Sequence, residues 1–261
     1  MVELSKKIST IVGKTNAEYG LIQEGDRILV GFSGGKDSLT LIHTLNRIKK
    51  VAPYNFEFKA VTVTYGMGER VEFLSKHCAE HGIEHEIIDT QIFELAGEKI
   101  RKNSSFCSFF SRMRRGYLYS TAQEQGYNKV ALGHHLDDAM ESFFMNFFYN
   151  GTMRSMPPIY KAENGLEVIR PLIFCRERQL RAFADTNEIN VIGDEACPGL
   201  RFDVKMPHAR QSTKELLAKL EEENPKIFVS MKAAFSNIQL STFFNKDDLN
   251  TIESSLEDDM I

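Results

Sequence analysis

The chain has 261 residues, 42% hydrophobic and 26% charged, with a formal net charge of −4. A chain of this length buries roughly three-quarters of its unfolded surface, which predicts a large core in one domain or one and a half. No apolar run approaches the ~20 residues that span a bilayer, the start MVELSKKIST has no apolar core of a secretory signal, and four scattered cysteines exclude a disulfide framework, so a cytoplasmic address with no membrane partner is expected.

In chain order, RILVGF (27–32), FKAVTVTY (58–65), HEIIDT (85–90) and KVALG (129–133) are short β-rich runs. Each is separated from the next by enough chain for a helix, a rhythm that predicts βα units around a parallel sheet. Between the third and fourth runs, residues 99–115 hold Lys99, Arg101, Lys102, Arg112, Arg114 and Arg115 and no acid, so the negative total hides a basic island. Lys and Arg neutralise phosphates, and Phe106, Phe109, Phe110 and Tyr117 are placed to stack on an unpaired base. The competing reading is a solvated helix with its aromatics turned into the core. After the fourth run, Met140, Phe143, Phe144, Phe147 and Phe148 recur at helical spacing, which predicts a core-facing stripe. Asn164-Gly165 between alternating apolar residues predicts a hairpin over 157–172. Ser212 with Glu215 reads as a capping box ahead of Leu216, Leu217 and Leu220, and a second helix is expected to carry Ile227, Phe228, Met231, Phe235 and Ile238. The expected organisation is a nucleotide domain over 1–175, a helical extension over 176–245 and an acidic tail over 246–261.

Two stretches carry chemistry. At GFSGGKDS the junction from β run to helix aims backbone N–H groups and a helix N-terminus at one point, a place for an anion. The common phosphate loop wants Gly at position 30 and Ser or Thr after Lys36, whereas this chain has Val30 and Asp37. Asp37 would repel phosphate unless a divalent cation came between them, so Mg2+ is implied. In ALGHHLDDAMES, His134 and His135 end the fourth run and Asp137 and Asp138 open the next helix. Acids there suit the helix dipole whatever the function. Both stretches belong at the carboxyl edge of a parallel sheet, where such folds bind ligands.

The string SGGKDS after a β run resembles the pyrophosphate loop of the ATP pyrophosphatases, which cut ATP between its α and β phosphates and transfer AMP. That resemblance implies ATP as cofactor, with Ser33, Gly34, Gly35, Lys36 and Ser38 on the leaving pyrophosphate and Asp37 beside Mg2+. It further implies adenine against Val63, Thr64 and Tyr65, and Gly133, His134 and Asp138 lining the cleft. The implied fold is α/β: a doubly wound five-stranded parallel sheet of the adenine nucleotide alpha hydrolase type, with a small helical C-terminal addition. The blocks EGDRILVGFSGGKDS, CSFFSRMRRGYLY, KVALGHHLDDAMESFFMNFFYNGTMRSMPP and IRPLIFCRERQL narrow the likeness to the tRNA 2-thiocytidine synthetases over roughly residues 18–240. That family adenylates the C2 oxygen of an anticodon-loop cytidine and replaces it with sulfur. The resemblance therefore implies tRNA as partner, met by Arg101, Lys102, Arg112, Arg114 and Arg115, a sulfur donor such as a cysteine desulfurase or inorganic sulfide, and a homodimer as a compatible assembly.

The chain departs from that family in one respect. The family binds an iron–sulfur cluster, a 4Fe-4S group, through a C-x-x-C pair and a third cysteine downstream. Here Cys107 is followed by Phe110, and DEAC places Asp194 and Cys197 where a second pair is often found. Two thiolates fit poorly to a cluster that ordinarily takes all its ligands as thiolate. The alternatives are a sulfur-carrying pair, Cys107 and Cys197, one bearing a persulfide and the other releasing its sulfur by forming a disulfide, or two buried thiols without chemistry. Rival functions are adenylation of a small molecule and nucleotide sensing without sulfur transfer.

Overall fold

The computed structural model describes residues 2–99, 106–193, 208–239 and 242. The chain divides into two compact units, Met1–Thr213 and Lys214–Ile261. Arg101, Lys102, Asp194 and Cys197 lie outside the described residues, as does the whole acidic tail, and of Cys107 only the helical backbone is described.

The first unit opens with α1 (Lys6–Tyr19), capped by Ser5 and ended by a left-handed Gly20. Then follow β1 (Arg27–Gly31), α2 (Lys36–Val51), β2 (Glu57–Val63), α3 (Glu72–Glu80), β3 (His85–Ile88), α4 (Ile92–Lys99), α5 (Phe106–Glu124), β4 (Lys129–Ala131), α6 (Leu136–Tyr149), β5 (Ile159–Lys161), β6 (Glu167–Ile169) and α7 (Glu177–Thr186). The sheet order is β3-β2-β1-β4-β6-β5. The first five of these strands run parallel. A sixth, antiparallel strand is the outer arm of the hairpin that turns at Asn164-Gly165, pairing Tyr160 with Val168.

Side chains alternate across the strands and fill two separate apolar clusters, one on each face. Ile28, Val30, Phe58, Ala60, Ala131 and Ile169 face the cluster that takes in α1, α2, α3 and α7. Leu29, Val61, Val63, Val130 and Val168 face the other, built with α4 and α5. Both faces are covered, the condition under which parallel strands read as continuous apolar runs. Helix α7 packs on α2, so the first unit runs on past the hairpin. Lys129 at the start of β4 is buried and satisfied by Asp26 at 2.8 Å and the Leu21 carbonyl at 3.0 Å.

Three expectations need correction. The aromatic stripe of α6 is not core: Met140 is buried, but Phe147 and Phe148 are about half exposed, at 48% and 50%. Burial on α6 ends at Glu141, and beyond it the rings stack on one another at i, i+4, Phe143 on Phe147 and Phe144 on Phe148. Ser212 caps nothing, because α8 (His208–Glu223) starts four residues earlier and holds Ser212 within it. The next helix, α9 (Ile227–Ala234), buries Phe228 and stops short of Ile238, which is exposed.

Candidate nucleotide site

Strand order reverses direction between β1 and β4: from β1 the chain steps outward to β2 and β3, then returns to the other side of β1. The loops leaving those two adjacent strands therefore meet at the carboxyl edge, the place where doubly wound sheets open a cleft. Contact between them is direct. A Cβ on Gly133 would lie 3.2 Å from the backbone of Asp37 and Ser38, a tight contact that would push the β4 loop a few tenths of an ångström off the first turn of α2.

The β1 loop is braced by its own hydroxyls. Ser33 N–H donates to Ser38 Oγ at 3.2 Å, Ser38 Oγ–H donates to the Gly35 carbonyl at 3.0 Å, and Ser33 Oγ lies 3.2 Å from Ser38 Oγ. Gly34 takes φ +79°, where an L side chain is strained, and its carbonyl accepts from Ile192 N–H at 2.9 Å. Gly35 is the N-cap of α2 and supplies no side chain to cap it. Gly35 N–H donates to Ser33 Oγ at 3.4 Å, and with no side-chain cap the start of α2 beside this loop offers an anion cradle, the positive end of a helix behind it.

Charges surround that cradle. Lys36 Nζ sits 3.2 Å from both Asp37 Oδ2 and Glu177 Oε1. Burial would lower its pKa, but Asp37 and Glu177 outweigh burial and raise it, so the ammonium stays charged. Burial pushes the Asp37 carboxyl up, with His135 and Lys36 pulling the other way and Asp138 adding repulsion. Asp37 Oδ1 is buried with no hydrogen-bond partner, and His135 Nε2 stands 3.8 Å away. An orphaned carboxylate oxygen beside an anion cradle is the donor a hard divalent cation uses, so these residues fit Mg2+.

The second stretch divides its labour. His135 is the N-cap of α6, accepting from Asp138 N–H while the Asp138 carboxylate accepts from His135 N–H. Asp138 also pairs with Arg210 at 2.7 Å, and Glu141 takes the other side of that guanidinium at 2.8 Å. Asp137 turns away to α7, accepting two bonds from Arg176, with Nε at 3.1 Å and Nη2 at 3.0 Å, and one from Glu177 N–H at 2.8 Å. His134 accepts from Arg170 Nε at 3.2 Å. Burial lowers its pKa to about 4, against the pull of Asp138 and with help from Arg170 and Arg115, so it is a neutral acceptor at pH 7. Among the residues expected at the site, Ser33 to Ser38, Gly133 and Asp138 converge. His134 belongs instead to an inner network with Arg170.

At the end of β2, Val63 is buried and the backbone of Thr64 and Tyr65 is already engaged. Thr64 N–H donates to the Ile88 carbonyl at 3.0 Å, Thr90 Oγ1–H donates to the Thr64 carbonyl at 2.6 Å, and Phe93 N–H donates to the Tyr65 carbonyl at 2.9 Å. Tyr65 joins this strand end to the basic island: Arg114 Nη1 donates to its hydroxyl at 2.8 Å and the guanidinium lies 5.2 Å from its ring centre. Arg112 and Arg115 on α5 are exposed. Phe110 is not available to stack on a base. It is 3% exposed, edge-on to Tyr65 and Phe109 and stacked with Phe93, so the position where a thiol was expected is filled by a core ring.

That ring decides the fit of a three-thiolate cluster. Beyond Cys107 and Cys197 the chain has Cys78 and Cys175, both fully buried in the apolar cluster on the α1–α2–α3 face, and burial pushes the Cys78 thiol up to about 12. The cysteines of this chain do not supply the third ligand. Glu177, Arg176 and Arg210 were missed in the sequence. The first two adjoin in IRPLIFCRERQL, where a charged pair beside a helix start was the available signal; Arg210 had none.

A family model described as a PP-loop domain matches residues 2–205. The chain is 42% identical over 237 residues to the tRNA-cytidine(32) 2-sulfurtransferase of Geobacter metallireducens, covering 90% of each. It is 36% identical over 249 residues to the enzyme of that name from Pseudomonas syringae pv. syringae, covering 94% of this chain and 88% of the relative. Among solved structures, the U34-tRNA thiolase NcsA of Methanococcus maripaludis with its [4Fe-4S] cluster superposes with a TM-score of 0.72 at 23% identity, over 89% of this chain and 77% of that one, a likeness of fold.

Proposed function

The chain belongs to the PP-loop family and, within it, to the tRNA-cytidine(32) 2-sulfurtransferases, and from that premise we propose that it is an ATP-dependent enzyme that adenylates the C2 oxygen of an anticodon-loop cytidine and exchanges it for sulfur. The observation that carries the reading is the anion cradle with its orphaned Asp37 Oδ1 beside the Lys36 ammonium.

In the first step the cytidine C2 oxygen attacks the α-phosphorus, the bond from that phosphorus to the α–β bridging oxygen breaks, and pyrophosphate leaves. The first-turn amides of α2 and the Lys36 ammonium would meet the departing group before any charge develops, so they would stabilise the transition state without reorganising. Mg2+, held by Asp37, would neutralise phosphate charge. Glu177, fixed by Asp137 through its backbone N–H, holds Lys36 at the loop rim.

In the second step a persulfide on one of Cys107 and Cys197 attacks C2 and AMP leaves. The other thiolate takes the inner sulfur, leaving a disulfide and the 2-thio base. A thiol reductant opens the disulfide, and a donor of persulfide-level sulfur, such as a cysteine desulfurase persulfide, transfers its outer sulfur to one of the two thiolates and leaves as a thiol. No step passes through a cluster, because the third thiolate is absent. Arg112, Arg114 and Arg115 supply the basic face for RNA phosphates, with Arg101 and Lys102 completing the same stretch of sequence.

The test is nucleoside mass spectrometry of tRNA from cells with and without the gene. Loss of 2-thiocytidine on deletion, restored by the wild-type gene and not by Lys36→Ala, is expected. An unchanged thionucleoside profile removes the reading.

A further inference from the structure

Two turns along α2 from the β1 loop lies a group of side chains that nucleotide chemistry does not use. His43 stands on α2, roughly 10 Å along the helix from Lys36 at 1.5 Å per residue. His77 and His81 stand on α3 and at its C-cap, four residues apart and so on one side of the helix. One ring nitrogen from each can be chosen so that all three lie within 4.8 Å of one another. His43 Nε2 and His77 Nε2 are 2.8 Å apart.

The partners of these rings set their lone pairs. His81 Nδ1 lies 2.8 Å from the His77 carbonyl, an acceptor only, so Nδ1 carries the hydrogen and Nε2 presents a lone pair. A backbone carbonyl fixing the second nitrogen is the usual support of a metal-bound imidazole. His43 and His77 must share one proton across their contact, and burial lowers the pKa of both, His43 to about 3, so both are neutral at pH 7. The rings meet edge to face, His43 against His77 and against His81, with Phe183 beside them. His77 and His81 also line a cleft of about 440 Å³ with Phe73, Lys76, Glu80 and Asn187, which leaves one side of the group open to solvent.

We propose that His43, His77 and His81 form a three-nitrogen binding site for a divalent transition-metal ion of the zinc class, with the fourth position open to water from the cleft. Neutral imidazole is the ligand that suits such ions, and three histidines with one open position is an established zinc arrangement. On binding, the proton between His43 and His77 moves to the other nitrogen of its ring, and the two Nε2 atoms part by about 0.5 Å to reach the edge of a tetrahedron with 2.0–2.1 Å bonds. The ion ties α3 to α2. Leu74, one turn before His77, lies 3.1 Å from where a Gly34 Cβ would stand, so the clamp also steadies the wall behind the phosphate loop.

The test loads the full chain with Zn2+ or Co2+, removes loose ion by gel filtration, and measures metal per chain and melting temperature. The variants are His77→Gln with His81→Gln, and His81→Gln alone in case the double variant does not fold; His43 is buried and is left intact. One ion per wild-type chain is expected, with a raised melting temperature and a four-coordinate cobalt spectrum lacking thiolate bands; all three are lost in the variants. Equal metal in wild type and variants, no retained metal in wild type, or a cobalt–thiolate spectrum that places the ion on Cys107 or Cys197 would each overturn the proposal.

Discussion

Replacing Gly34 by alanine tests how tightly the β1 loop is specified. At φ +79° an L residue is disfavoured by roughly 1–2 kcal/mol. The new Cβ would fall 2.7 Å from Ile192 Cδ1 and 2.9 Å from Cγ1. Those atoms end a side chain that can move, so overpacking adds about 1 kcal/mol, at the low end for an added methyl group. The sum, roughly 2–3 kcal/mol, corresponds to a melting-temperature loss of about 4–12 °C for a unit of this size. Gly35→Ala is the control: its Cβ would meet Ser33 Oγ at 3.6 Å and the Ile192 carbonyl at 3.7 Å, ordinary contacts. Its weaker N-cap is offset by the smaller entropy of the unfolded chain, so a change within about 1 kcal/mol is expected. Calorimetry on both variants, and on Gly34→Ala combined with Ile192→Ala, separates the terms. The double variant should recover the packing part and keep the backbone part. If Gly34→Ala melts with the wild type, the left-handed turn packed against Ile192 is refuted.

Asp137→Ala removes two bonds to Arg176 and the Glu177 N–H acceptor at the start of α7; a loss of roughly 2–4 kcal/mol in urea unfolding and weaker nucleotide binding are expected. Phe110→Cys recreates the C-x-x-C spacing but empties a core position, so stability should fall by roughly 3 kcal/mol by chemical denaturation. Iron and sulfide analysis of anaerobically purified wild-type chain should give far less than four irons per chain, whereas four would restore the cluster and remove the persulfide pair. His134, whose pKa falls from 6.5 to about 4 on folding, stays neutral in the folded state while the unfolded chain takes up a proton. His134 should therefore contribute nothing above pH 6.5 and a loss of about 2 kcal/mol by pH 5, beside the losses from His43, His77 and His85, whose pKa values burial also lowers, so His134→Gln should reduce the slope of pH-dependent unfolding by that share without abolishing it.

The parallel sheet was legible because its strands are buried on both faces and read as apolar runs at βα spacing. The β1 loop was legible because Gly34 and Ser38 serve backbone geometry within six residues of one another. Gly133 was placed in the cleft by resemblance, and the physical reason for it, contact with Asp37, needed the fold. The α6 aromatics misled because helical periodicity shows that residues share a side, not that anything covers it. Phe110 was ambiguous for the opposite reason: an aromatic among arginines suits RNA, and only its packing on Tyr65 and Phe93 shows that the core holds it. The partners of Asp137 and Asp138 lie 39 and 72 residues away, at Arg176 and Arg210, beyond the reach of any local pattern.

The most direct test follows the label in ATP carrying a radioactive γ-phosphate, incubated with Mg2+ and unmodified substrate tRNA. Cleavage at the α-phosphorus with the Ser33–Ser38 loop on the leaving group predicts labelled pyrophosphate, formed only when tRNA is present and lost in Lys36→Ala. Labelled orthophosphate would mean that the bond between β and γ is cut, and would contradict the assignment of this loop to pyrophosphate.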